Sequence, residues 1–265
     1  MATVVLLGSV TFTTTAGDKT VVATPQVGDL IIVVAAATGG GPSACTDNND
    51  TGAAYTKVAG DFSGFSTAGL LNVWARTTPI QNAASTTWTS TQTSSTGGGL
   101  AVYAVRGAAK FGANAIRTSG GQSSAATGTP APVMGLVPKN TNPIIAAVAS
   151  AVSTASATPR SSPAYTEDFD AGYTVPTTGL ETSHVNSGET SATITYGGST
   201  TGTFASVAVE IDADTPTAIH PDHSDVPEPL LRRRPAAPAQ YPYGKPQLPR
   251  NPRRPDIDIQ DPASN

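Results

Sequence analysis

The chain has 265 residues, of which 38% are hydrophobic and only 13% charged, with a formal net charge of −4. Charge this sparse lies well below the usual quarter, and Thr, Ser and Gly fill the gap; the balance argues against an ordinary cytosolic enzyme and for a strand-rich protein of an assembly or an exterior, because Thr and Val suit the pleated, half-buried surface of a strand. The length accommodates one large domain or two small ones, and the single cysteine, Cys45, excludes an intramolecular disulfide and a cysteine-based metal site.

In chain order, TVVLLGSVTFTT reads as a loosely alternating strand. The opening residues carry no basic stretch and only a short apolar run, so they do not read as a signal peptide. DLIIVVAAA is a continuous apolar run of the kind a buried sandwich strand gives. Its apolar stretch, Leu30 to Ala37, is far short of the roughly 20 residues of a membrane span, so synthesis in a cytoplasm without a membrane anchor is expected. Strands are then predicted at LLNVWART (70–77), STTWTSTQT (85–93) and GLAVYAVRG (99–107). Each is bounded by Gly, Ser, Asn or Pro clusters. Cys45 is expected to be a small inert residue near a loop.

A second series follows: NPIIAAVASAV (142–152), AYTEDF (164–169), GLETSHVN (179–186), SATITYGG (191–198) and FASVAVEID (204–212). No stretch shows clean helical periodicity with caps. The two series correspond. Leu30-Ile31-Ile32 answers Ile144-Ile145, Tyr55-Thr56 answers Tyr165-Thr166, and Leu70 to Arg76 answers Leu180 to Asn186. Thr87-Trp88-Thr89 answers Thr193-Ile194-Thr195, and Val102 to Val105 answers Ser206 to Val209. A repeat of this length means either two small sandwiches or one sandwich of two similar halves. The second is expected, with halves of about 1–115 and 116–213, because an isolated open sheet leaves one face uncovered and pairing the halves buries both.

Past Asp212 the strand rhythm stops. The segment 214–265 holds 12 of the 22 prolines and 7 residues of each charge sign, with the basic ones between Arg232 and Arg254 and an acidic end at Asp256, Asp258 and Asp261. Proline removes backbone donors and fixes φ, so an extended Pro/Arg-rich C-terminal arm is expected, without a fold of its own.

The pattern Gly28 to Val34, then Asp47 to Val58, Leu71 to Arg76, Thr86 to Thr89 and Leu100 to Gly107 resembles a β-sandwich, jelly-roll-like module of tailed-bacteriophage virion proteins, of the minor tail, fibre-associated or decoration type. The resemblance covers roughly residues 1–213. It implies an all-β antiparallel sandwich and a structural role in the virion, and it carries no catalytic residue. The expected function is therefore that of a non-enzymatic minor tail or tail-tip protein, made in the host cytoplasm and present in several copies. Its arm would strap it to other virion structural proteins through Arg232, Arg233, Arg234, Tyr241, Tyr243, Arg250, Arg253, Arg254, Ile257 and Ile259. Such a strap combines a Pro-stiffened backbone with Arg forks and Tyr anchors, and DIDIQ (256–260) alternates so as to add a strand to a partner's sheet edge. Two alternatives are a decoration protein on the capsid exterior and a carbohydrate-binding module for a host surface glycan. The second would expose Trp74 or Trp88 on one sheet face.

No catalytic, cofactor-binding or metal-ligating set emerges. TDNNDTG (46–52) reads as a turn in which Asp and Asn side chains bond local backbone, with calcium binding by Asp47, Asn49 and Asp50 as the competing reading. EDFDAG (167–172) is expected to be the matching solvated loop. His220 and His223 sit in a linker with a Pro between them and no third ligand. His184, placed where the first half has Trp74, is expected to pack on a strand face, and Trp74, Trp88, Tyr103 and Tyr196 are expected in the core. Nucleic-acid contact by the arm's cations is disfavoured because acidic residues match them in number.

Overall fold

The continuous apolar runs become the central strands of two antiparallel sheets. The computed structural model describes residues 1–11, 17–51, 54–92, 97–152, 157–174 and 177–213, within a unit spanning Met1–Thr217. The ten arm residues named above, with His220 and His223, lie outside the described residues. The strands are β1 Thr3–Val10, β2 Lys19–Ala23, β3 Leu30–Ala37, β4 Ala44–Asp47, β5 Tyr55–Phe62, β6 Leu70–Arg76, β7 Thr86–Thr91 and β8 Gly98–Arg106. After a 3-10 turn at Gly112–Ala115 come β9 Ile116–Ser124, β10 Val133–Met134, β11 Ile144–Ser150, β12 Thr166–Thr174, β13 Thr177–Val185 and β14 Phe204–Ile211. The protein is an all-β antiparallel sandwich.

One sheet runs β1-β8-β3-β6-β5 and another β10-β9-β14-β11-β13-β12, while β2-β7-β4 forms a small third sheet. In the first half, β2-β7-β4 lies against β1-β8-β3-β6, which is the strand order of a jelly roll, two Greek keys wound together. The second half repeats that order with β9, β14, β11, β13 and β12 in the places of β1, β8, β3, β6 and β5.

The repeat is real, but the register read from sequence needs two corrections. Ile32 pairs with Ala75 and Ile145 with His184. Ala75, not Trp74, is therefore the counterpart of His184, and Ser183 stands in Trp74's place. The sequence alignment of Leu70 with Leu180 was one residue out, and in a strand a one-residue slip exchanges the faces. For the last strand, Ile32 faces Tyr103 and Ile145 faces Val209, so Val102 to Val105 answers Ala208 to Ile211. That slide of two residues preserves the face, which is why small and apolar residues alone could not reveal it.

Layering explains why β3 and β11 are buried along their whole length. Leu30, Ile32, Val34 and Ala36 face Ile145, Ala147, Ala149, Val207 and Val209 in one core shared by the two large sheets. On the far side of the first sheet, Ile31, Val33 and Ala35 pack with Val21, Trp74 and Trp88. On the far side of the second, Ile144, Ala146 and Val148 pack with Tyr165, Ile194 and Tyr196. The expectation of a single core between two halves is thus corrected to three: each half brings its own outer cover, and the halves still join face to face. Gly64 marks how closely they join. It has φ +126°, and a Cβ there would lie 2.6 Å from the Ser124 carbonyl oxygen.

β2, β4 and β10 escaped the sequence reading because they are short, and β9, IRTSGGQSS, because it is polar and Gly-rich; Cys45 is buried within β4 instead of beside a loop. SATITYGG, expected as a strand, is not one. Ile194 and Tyr196 donate their amides to the carbonyls of Pro132 and Pro130, but those prolines have no N–H to return, so only half a ladder forms. Burial on the outer side still makes Ile194 the counterpart of Trp88.

The shared core dictates how fragments behave. Residues 1–115 and 116–213 produced separately are expected to bind a hydrophobic dye and digest quickly, and to regain protease resistance when mixed. Cooperative unfolding of either fragment alone, at the midpoint of the whole, would show that the outer cores suffice.

Candidate functional site

Arg76 ends β6 with its side chain fully buried. Its Nε lies 2.8 Å from Asp47 Oδ2 and its Nη2 2.6 Å from Asp50 Oδ1. Its Nη1 donates to the carbonyls of Thr78 and Pro79 at 2.9 and 2.6 Å. Tyr55 donates its hydroxyl to Asp47 Oδ2 at 2.6 Å, and burial, then Cys45 and Asp47, pushes that phenol up, keeping it a donor. Asp47 Oδ1 accepts the Asn49 amide at 2.9 Å, and Asn49 reaches the Asn82 carbonyl and Thr86. The TDNNDTG segment is therefore the turn the sequence suggested. Of the two readings, calcium loses its ligands here, because a guanidinium already engages both carboxylates.

The second half solves the same problem with the charges exchanged. Glu189, fully buried, accepts from Arg160 Nε at 3.0 Å and from the amides of Thr190 and Ser191 at 3.0 and 2.8 Å. Tyr165, the counterpart of Tyr55, donates to Glu189 Oε2 at 3.3 Å. In the first half the cation sits on the sheet and the anion on the cover; in the second the cation sits near the cover and the anion follows β13.

Polar groups also cross the seam between the halves. Tyr103, on β8, donates to Thr182 Oγ1 at 2.6 Å and approaches Asp168 Oδ2 at 3.1 Å. His184 Nδ1 lies 2.8 Å from Asp168 Oδ2, and Asn186 bridges from His184 Nε2 at 3.5 Å to the Val4 amide at 2.7 Å. This corrects the reading of EDFDAG as a solvated loop: Glu167 to Gly172 lies within β12, and Asp168 is nearly buried in the seam. His184 packs among neighbours as expected, but as an acidic residue's partner. Among the described residues, the far nitrogen of His184 meets the Asn186 amide and not a nucleophile.

The opposite face of β12 and β13 is acidic. Asp170 pairs directly with Glu181, and Glu167 with Ser183. Glu167 and Asp170 are exposed, whereas Glu181 is only 2% exposed. Burial, with Asp170 and then Glu167 adding like charge, pushes its carboxyl up to about 9, against a lesser opposing effect of the Ala157 amide. The buried hydroxyls of Ser183 and Tyr196 interact with each other. Sequence reasoning missed Glu181. The one available signal was a Glu inside an otherwise apolar and small-residue run.

An open groove of about 250 Å³ lies along Lys57, Val58, Ile116, Arg117 and Ser119, and its cations are engaged by Asp61 and Glu210. Trp74, Trp88, Tyr103 and Tyr196 are all buried, so the aromatic platform expected of a carbohydrate-binding module is not among them. Among the described residues, no group of three or more His, Cys, Asp or Glu side chains could hold a metal ion, and no helix is long and apolar enough to cross a membrane. No family model, curated protein or solved structure matches the chain.

Two outcomes follow from these geometries. Arg76→Met strands Asp47 in the interior and is expected to cost about 3–5 kcal/mol in chemical unfolding. For Glu181, a carboxyl whose folded value is raised binds its proton more tightly folded than unfolded. Its penalty is absent below pH 4.5 and grows up to about pH 9, reaching on the order of 3 kcal/mol at pH 7. In metal-free buffer, wild-type stability is expected to fall from pH 5 to pH 9, with a shallower fall in Glu181→Gln; parallel profiles would refute this assignment.

Proposed function

We propose that the protein is a non-enzymatic structural component of a tailed-phage virion, of the minor tail or tail-tip type, whose C-terminal arm straps it to neighbouring subunits. The observation that supports this most is the division of the chain. A rigid tandem of jelly rolls ends where Asp212 pairs with Lys110 and Ala213 donates its amide to Asn142. Directly after it begins a segment rich in Pro, Arg and Tyr.

Each part fits that role. Jelly rolls recur in capsid and lectin domains, which makes the fold an analogy and not a proof of function. With its large aromatics spent on the cores, the lectin branch of that analogy has less to work with. The body's buried ion pairs, Arg76 with Asp47 and Arg160 with Glu189, hold covers to sheets. The arm carries what an assembly contact uses: Arg forks, Tyr anchors and a preset backbone.

The test compares proteolysis of the free protein and of purified particles, followed by mass spectrometry. The free protein is expected to be cut quickly after Arg232, Arg233, Arg250 and Arg253, the basic residues of the arm not followed by proline, and particles to protect those bonds. Crosslinks from Lys245 then name the partner as a tail or a head protein, the second outcome favouring capsid decoration. Equal cleavage in both states would sink the strap.

A further inference from the structure

A free sheet edge offers a row of unpaired backbone donors and acceptors, and proteins guard such edges with charge, shortness or bulges. The described edges are guarded unequally. β2, β4 and β10 have five, four and two residues. β5 carries Lys57 and Asp61 and two register shifts. β12 carries Glu167 and Asp170, both exposed. β1, Thr3–Val10, is eight residues long and reads TVVLLGSV, without a single charge. Its one irregularity is the register shift between Leu6 and Gly8.

β1 pairs with β8 on one side and ends its sheet on the other. The Val4 amide donates to Asn186 Oδ1 at 2.7 Å, so it points away from β8. Inward and outward groups alternate along an antiparallel strand, so the amide and carbonyl of Leu6 face the same open side. Leu6 is half-buried against the shared core, and Leu7 and Val10 are half-buried against the outer core of the first half. Both cores thus reach the surface along this strand, and one further strand would cover them.

We propose that the free edge of β1 receives the segment 256–260, DIDIQ, from the arm of a neighbouring copy of this chain. The inference rests on the strap reading and names the seat of the strap. Ile257 and Ile259 share one face of an extended segment, set to lie beside Leu6, while Asp256 and Asp258 turn to the other face. Those carboxylates meet no charge on β1. On β12 they would meet Glu167 and Asp170, and like charges on adjacent strands oppose pairing. The described chain ends at residue 213, which is 43 residues before Asp256. Extended, that length covers about 140 Å, several times the diameter of a body of this size, so the segment reaches a second copy. Strand addition of this kind draws affinity from main-chain hydrogen bonds and specificity from alternate side chains.

Amide hydrogen exchange reads this contact between copies. The receiver is isotope-labelled full-length chain whose own segment carries Ile257→Asp and Ile259→Asp, and the donor is unlabelled wild-type chain in large excess. Exchange over residues 3–10 of the receiver is expected to slow about tenfold or more at saturation, with β12 unchanged. A donor carrying the same two substitutions should lose the effect. Unchanged exchange in β1, which is also the result if the segment joins a different protein, overturns the proposal. So does slowing that survives in the substituted donor, or slowing at β12 in place of β1. Protection of the arm in particles together with unchanged β1 exchange removes this seat and leaves the strap standing, whereas an arm cut equally in both states removes the strap itself.

Discussion

The architecture depends on one packing constraint: the central strands of both large sheets are apolar on both faces. Ile32 and Ile31 point in opposite directions, as do Ile145 and Ile144, and all four are buried. A two-sided apolar strand needs cover above and below. The molecule meets the inner requirement by setting sheet against sheet, and the outer one by folding a small cover over each. The jelly-roll winding follows, because the cover strands must come from the same stretch of chain as the sheet they protect.

Within that frame, polar groups go where layers end. The two buried ion-pair knots sit where a cover meets its sheet, and each is anchored by a tyrosine at the start of β5 or just before β12. Their opposite polarity shows that the fold requires opposite charges to meet there and not a particular charge on a particular strand. A buried pair of this kind adds little net stability over an apolar substitute, so its effect is to fix how the cover sits. The seam network of Tyr103, Thr182, Asp168 and His184 does the same for the two halves.

The sequence made much of this legible, and for definable reasons. Long apolar runs such as LIIVVAAA and IIAAVAS carried the central strands, and Trp88 and Ile194 sat at equivalent places in the covers. Repetition was visible because the apolar spacing repeats. Register was not: Leu70, Leu71 and Leu180 offer two alignments of equal hydrophobic merit, and only the pairing of β6 and β13 with their neighbours decides between them. The knots were hidden because their partners are far apart in sequence, Arg76 from Asp47 and Arg160 from Glu189. Glu181 was hidden because its oddity is burial, which sequence does not display. The aromatics, by contrast, were rightly placed inside.

The strand order has a temporal consequence. In each half the last strand is inserted into the middle of its sheet: β8 between β1 and β3, β14 between β9 and β11. Neither sheet can be completed by adding strands outward from a finished hairpin. As the chain leaves the ribosome, β9 and β11 wait as unpaired edges, hazardous for misassembly, until β14 arrives to join them. The arm follows directly behind β14, so it emerges only as the body closes. Synthesis thus delivers the strand that closes the body before the segment that follows it.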